Sequence, residues 1–131
     1  MRRLIIIGGC SGAGKETTGE LLYAALDSCA WIDSKWLIRV QPWEYGEPLH
    51  RLGVRNAASL ANNYYAAGFS QVILSGGVAG QSRLDLLLDL IEGDPLVDYV
   101  WLHADKLVRD GRRLGRQRDD ADQAQYLDHV D

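Results

Sequence analysis

Two regimes of apolar patterning alternate along this chain. Leu4, Ile5, Ile6 and Ile7 form an unbroken apolar run without the polar alternation of a half-solvated strand, which predicts a strand covered on both faces, as in a parallel sheet. From residue 15 to 26 the pattern turns helical, with Leu22, Ala25 and Leu26 on one face and Gly19 and Ala24 allowing close approach to a sheet. Ala30, Trp31 and Ile32 make a second short run ending at Asp33, and right-handed crossover lays it parallel to the first. Residues 41–48 carry two prolines, a glycine, Trp43 and Tyr45, and predict a loop. Pro48 is placed like a first-turn proline, and Leu49, Leu52, Ala57, Leu60, Ala61 and Tyr64 predict a helix bent at Gly53 and stopping at Gly68. Residues 69–75 read as a third strand, with Val72, Ile73 and Leu74 buried, running into Gly76 and Gly77. Ser82 and Asp85 have capping-box spacing ahead of a helix carrying Leu84, Leu87, Leu88 and Ile91, which Gly93, Asp94 and Pro95 end. A fourth strand over 97–102 leads to His103, Ala104 and Asp105, the last placed as a helix N-cap. Strands alternating with helices predict an α/β fold of three layers around a parallel sheet.

Composition narrows this reading. With 131 residues and 47% hydrophobic content, the chain is expected to form one domain spanning 1–131 with a full core. A net charge of −4 argues against a general nucleic-acid binder, although basic residues gather at 109–118 and suit a local anion. Two cysteines, Cys10 and Cys29, are too few for a disulfide framework, and a cytoplasmic location is expected. The apolar part of MRRLIIIGG is short and is followed by glycines and a lysine rather than a cleavage site. No stretch is long enough to span a membrane.

The candidate chemistry starts where the first strand ends. Gly8, Gly9, Gly12 and Gly14 let successive N–H groups converge on an anion without a Cβ in the way. A helix beginning near Lys15 adds its first-turn N–H groups and the positive end of its dipole, and the Lys15 ammonium reaches outer phosphates as a mobile charge. Residues Gly9, Cys10, Ser11, Gly12, Ala13, Gly14, Lys15, Glu16, Thr17 and Thr18 are therefore candidates for binding the phosphates of a nucleotide. Gly9, Gly14 and Lys15 fit the GxxxxGK part of the Walker A motif, but Glu16 stands where a Ser or Thr would hold magnesium. Glu16 can approach the metal directly or through water, project into solvent, or repel the phosphates. Glu16 and Thr17 are the candidate ligands for magnesium.

In an open α/β sheet ligands bind at the carboxyl ends of the strands, which makes Asp33, Ser34, Lys35, Trp36 and Arg39 candidates for holding a phosphate acceptor. Asp33 is a possible base or hydroxyl anchor, and equally a helix N-cap with Trp36 in the core. Gly76 and Gly77 would let a substrate lie against backbone, or simply turn the chain. Ser75 occupies the place where many phosphate-loop enzymes have an aspartate holding magnesium through water. Arg109, Arg113 and Arg116 share a helical face that suits a phosphate lid, or a solvated face paired with Asp119, Asp120 and Asp122.

The order of phosphate loop, a strand ending WID, a strand ending LSGG and a fourth followed by R-R-L-x-x-R resembles the small P-loop kinases of the adenylate, shikimate and gluconate kinase group, including their bacterial AAA-type relatives. The loop is similar to the GxxGxGKxT variant of adenylate kinases, with Thr17 as the hydroxyl one place later. The resemblance implies a P-loop NTPase fold with sheet order 2-3-1-4-5, of which the fifth strand is missing before Asp131. It implies ATP over Gly9 to Thr18, an acceptor facing Asp33 and Arg39 in a region spanning 33–48, and a lid over 105–131 closing with Arg113 and Arg116. The lack of a fifth strand leaves an open edge that favours a homodimer. The expected activity is transfer of the γ-phosphate of ATP, with Mg2+, to a hydroxyl of a small molecule. The alternatives are a nucleotide-binding module with weak or lost catalysis, and a simple NTPase.

Overall fold

A computed structural model of the chain describes residues 1–10, 12–105 and 107. The elements run β1 (Arg3–Gly9), α1 (Lys15–Ala25), β2 (Cys29–Asp33), a single 3₁₀ turn (Ser34–Trp36), α2 (Glu47–Ala66), β3 (Gln71–Ser75), α3 (Gln81–Leu90) and β4 (Leu96–Leu102). All strand pairings are parallel, as the apolar runs and the crossover rule predict, and the order β2-β3-β1-β4 is the one the resemblance to small P-loop kinases implies. β1 therefore lies inside the sheet, and Leu4, Ile5, Ile6 and Ile7 are all buried. The expected lid over 105–131, with Arg109, Arg113 and Arg116, lies outside the described residues except for Asp105 and Leu107, and so does Ser11 of the loop.

Strand alternation divides the core. Leu4, Ile6, Ala30, Ile32, Val72 and Leu74 face α2 and α3, whereas Ile5, Ile7 and Ile73 face α1 through Leu22 and Leu26. On α1, Ala24 and Ala25 are exposed, contrary to the sequence reading, because contact with the sheet runs through Gly19, Leu22 and Leu26. A Cβ at Gly19 would stand 2.6 Å from Trp31 Nε1, so this glycine sets how closely α1 sits on β2.

α2 corrects the predicted stripe. It runs unbroken through Gly53, and its buried face is Gly53, Val54, Ala57, Ala58, Ala61 and Tyr65, while Leu60 is exposed. Small residues win the sheet-facing positions because they let the helix axis approach, and the leucines fall at the margins. Gly53 serves a close contact, not a bend: a Cβ there would lie 2.8 Å from Ile38 Cδ1. α3 also begins differently from expectation. Gly80 is its N-cap and Gln81 its first residue, so Ser82 lies inside the first turn and forms no capping box; Gln81 Nε2 instead donates to Asp85 Oδ1 at 2.7 Å. No helix of the described residues is long and apolar enough to cross a membrane.

Tyr65 ties α2 to the start of β1. Its ring is 4% exposed and its hydroxyl donates to the Arg3 carbonyl at 2.8 Å. Burial pushes its pKa up to about 12. Below the ordinary tyrosine value of 10.0 both folded and unfolded chains keep the proton; between there and about 12 only the folded chain does, so stability falls as pH rises through that window. Tyr65→Phe is expected to cost about 1 kcal/mol at pH 7 in urea unfolding, through the lost hydrogen bond, and to flatten the alkaline decline above pH ~10.

Candidate active site

The loop after β1 is shaped by its glycines. Gly14 sits in the left-handed region (φ 104°, ψ 19°) and starts α1 without a side-chain cap, so no side chain covers the first turn from that position. Gly9, at φ 147°, lies so close to β4 that a Cβ would come within 2.6 Å of the Leu102 carbonyl oxygen. Lys15 arches back over this turn, and its ammonium donates to the Gly9 carbonyl at 2.6 Å. The lysine is thereby held at the concave side of the loop. Thr17 is exposed and Thr18 half-buried.

The second half of the site comes from the end of β2. Asp33 accepts a hydrogen bond from the Lys35 backbone N–H at 3.1 Å and caps the 3₁₀ turn, as the N-cap reading expects. Its side chain is only 12% exposed, and burial raises its pKa above the usual carboxylate value despite the opposing pull of Lys35. Trp36 is 69% exposed, so it is not a core residue. The Lys35 ammonium is hydrogen-bonded to Glu16, lies 3.7 Å from Asp33 Oδ2, and sits 5.4 Å over the Trp36 ring. The bond to Glu16 is the main reason the Lys35 pKa is raised. Glu16, Glu20, Trp31, Asp33, Lys35 and Trp36 together line a cleft of about 310 Å³.

The end of β3 joins the two halves. Gly76 donates to the Ile7 carbonyl at 2.8 Å and adopts φ +85°. A Cβ there would collide with Ser34 Oγ and come within 3.4 Å of Lys15 Cε, so loop, turn and strand end meet at one point. The space over Gly76 thus holds Ser34, the residue after Asp33. Gly77 likewise faces Ser34, whose Cβ would lie 3.3 Å away from a Cβ at 77. Ser75 is 2% exposed, and its hydroxyl accepts a 2.9 Å hydrogen bond from Trp31 Nε1.

Among the sequence candidates, the structure brings Lys15, Glu16, Asp33, Lys35, Trp36 and Gly76 to one edge of the sheet. Arg39 is exposed and does not line the cleft. Glu20 and Trp31 were not among the expected site residues, although Glu20 is one helical turn beyond Glu16 and Trp31 shares a strand face with Asp33. No group of three His, Cys, Asp or Glu side chains is assembled to hold a metal ion among the described residues.

No family model matches the sequence, and no curated protein does. Solved structures do. A gluconokinase from Sinorhizobium meliloti 1021 superposes with a TM-score of 0.70 at 19% identity, covering 99% of this chain and 74% of the other. Its fold is that of the small phosphate-loop kinases. A sugar kinase from Janibacter sp. HTCC2649 superposes with a TM-score of 0.69 at 19% identity, over 99% and 77% of the two chains. A variant of the APS kinase CysC from Mycobacterium tuberculosis gives 0.55 at 13% identity, over 77% and 75%. The fold likeness extends over nearly the whole of this chain and agrees with the fold that the resemblance of the loop and strand ends implies.

The convergence at Gly76 gives a direct test. Gly76→Ala introduces a side chain at a left-handed φ and against Ser34, and is expected to lower stability by roughly 1–3 kcal/mol in chemical denaturation. A variant as stable as the unmodified chain would mean that the three segments do not meet as described.

Proposed function

We propose that this chain is an ATP-dependent phosphotransferase that moves the γ-phosphate to a hydroxyl of a small molecule. The observation that carries this reading is the meeting at Gly76 of the Lys15 side chain and the turn that follows Asp33. A phosphate donor over the loop and an acceptor in the cleft would then be neighbours, and positioning supplies a large part of catalysis in phosphoryl transfer.

In this mechanism the loop N–H groups from Gly9 to Thr18 and the Lys15 ammonium hold the phosphates. The carboxylate of Asp33 orients the acceptor hydroxyl and takes its proton. A bond forms from the acceptor oxygen to the γ-phosphorus as the bond to the bridging oxygen breaks, and ADP leaves with that electron pair. Bound magnesium would neutralise the phosphate charge, with Thr17 the residue placed to hold it, since the Glu16 carboxylate expected beside it is engaged by Lys35. Trp36, which lines the cleft, would cover the acceptor, whereas Gly76 and Gly77 face Ser34 and Arg39 does not line the cleft. Arg113 and Arg116 would close on the transferring phosphate from the segment 105–131.

A nucleotide-binding module without transfer is the second reading. It is favoured by Glu16 at the hydroxyl position and by Ser75 being engaged with Trp31 where other enzymes place a metal-orienting aspartate. Calorimetric titration with ATP is expected to show binding that strengthens with magnesium and weakens about tenfold or more in Lys15→Ala. Asp33→Asn is expected to keep that binding and to slow acceptor-dependent ADP formation by roughly 10²-fold or more. Binding without any acceptor-dependent ADP formation across sugars, nucleosides and amino alcohols would favour the second reading. ATP consumption indifferent to added acceptors would make the chain a hydrolase.

A further inference from the structure

Glu16 creates an electrostatic conflict within the phosphate loop. It is the second residue of α1, beside Lys15, at the helix end that the phosphotransferase reading assigns to the phosphates. A carboxylate in the first turn suits the helix dipole but opposes a polyphosphate a few ångströms away. Glu20, one turn along the same helix, adds a second negative charge to the cleft.

Lys35 meets this conflict from another element. Its ammonium is hydrogen-bonded to Glu16 Oε1, so that the carboxylate is turned toward the acceptor-side cleft. Its position is fixed twice by Asp33, through the backbone N–H bond at 3.1 Å and the side-chain approach at 3.7 Å, and once by the Trp36 ring. Although the Lys35 side chain is 47% exposed, its contacts with Glu16, Asp33 and the Trp36 ring all bring the ammonium to one place.

We propose that Lys35 is a positioning residue for the phosphate loop. It draws the Glu16 carboxylate toward the acceptor side and cancels its charge, so that the field over the loop stays positive although a carboxylate replaces the usual hydroxyl. This rests on the phosphotransferase reading for the identity of the ligand. It adds to it a role for a residue outside the loop, and explains how a Walker-type loop can carry Glu16 and still accept a nucleotide.

The test is a double-mutant cycle read by calorimetric titration with ATP in EDTA at low salt, where no metal contributes. Lys35→Met is expected to weaken ATP binding roughly three- to tenfold, since the Glu16 carboxylate is then left uncompensated beside the phosphates at a partly solvated site. Glu16→Gln is expected to bind more tightly than the unmodified chain, and adding Lys35→Met to Glu16→Gln is expected to change affinity less than twofold. Lys35→Arg, which keeps the charge, is expected to recover most of the loss. The deficit of Lys35→Met should shrink as salt is raised to about 0.5 M, because screening removes the repulsion. A purely structural role for Lys35 would produce a loss that Glu16→Gln does not rescue and salt does not diminish, and either result overturns the proposal. Binding that depends on Lys15 but ignores Lys35→Met overturns this inference alone. Binding that Lys15→Ala leaves unchanged overturns the nucleotide reading and this inference with it.

Discussion

The arrangement of this molecule follows from the confinement of β1. A strand of consecutive isoleucines has no solvent-facing side, so it must be paired on both edges and covered on both faces, and β3, β4, α1 and the α2–α3 layer supply these four contacts. The chain leaving such a strand can only emerge at its carboxyl end. There it meets the ends of β2 and β3, because all the strands run in the same direction. The loop, the 3₁₀ turn and Gly76 are neighbours for this topological reason, and the Gly76 bond to Ile7 and the pairing of Lys35 with Glu16 add to it.

Charge is distributed across that edge in layers. Lys15 lies over the loop, Glu16 leads away from it, and Lys35 stands between Glu16 and Asp33. One cation thus serves a carboxylate at the start of α1 and another at the end of β2. Asp33 is the most enclosed of these groups, and its burial is what raises its pKa against the influence of Lys35. A carboxylate so placed holds its proton more readily than one in water, which fits a group that receives a proton from a hydroxyl.

The parts of this design legible in the sequence are those governed by near neighbours in the chain. The unbroken runs at 4–7 and 72–74, the glycine turn and Lys15 made the strands and the loop legible, since buried parallel strands and phosphate turns are both written in consecutive residues, while the strand order followed only from the resemblance to small P-loop kinases. The buried face of α2 was less legible: leucines suggested one stripe, while proximity to the sheet selected Val54, Ala57, Ala58 and Ala61. Ser82 and Asp85 matched a cap by spacing, yet Gly80 began the helix two residues earlier. The pairing of Glu16 with Lys35 joins residues 19 apart on different elements, and no local rule connects them. The Trp31 bond to Ser75 spans 44 residues and was equally out of reach.

That last contact has a consequence for how the chain can vary. Gly19, Trp31 and Ser75 come from α1, β2 and β3, and each occupies space that the others leave: an added carbon at 19 would lie 2.6 Å from the indole nitrogen and 3.2 Å from the Ser75 Cβ. An aspartate at 75, as metal-binding relatives of this fold would have it, would need room that the indole fills. Drift at any one of these positions therefore constrains the other two. The three side-chain positions share one space, and a smaller residue at 31 is expected to open room for an acidic group at the end of β3.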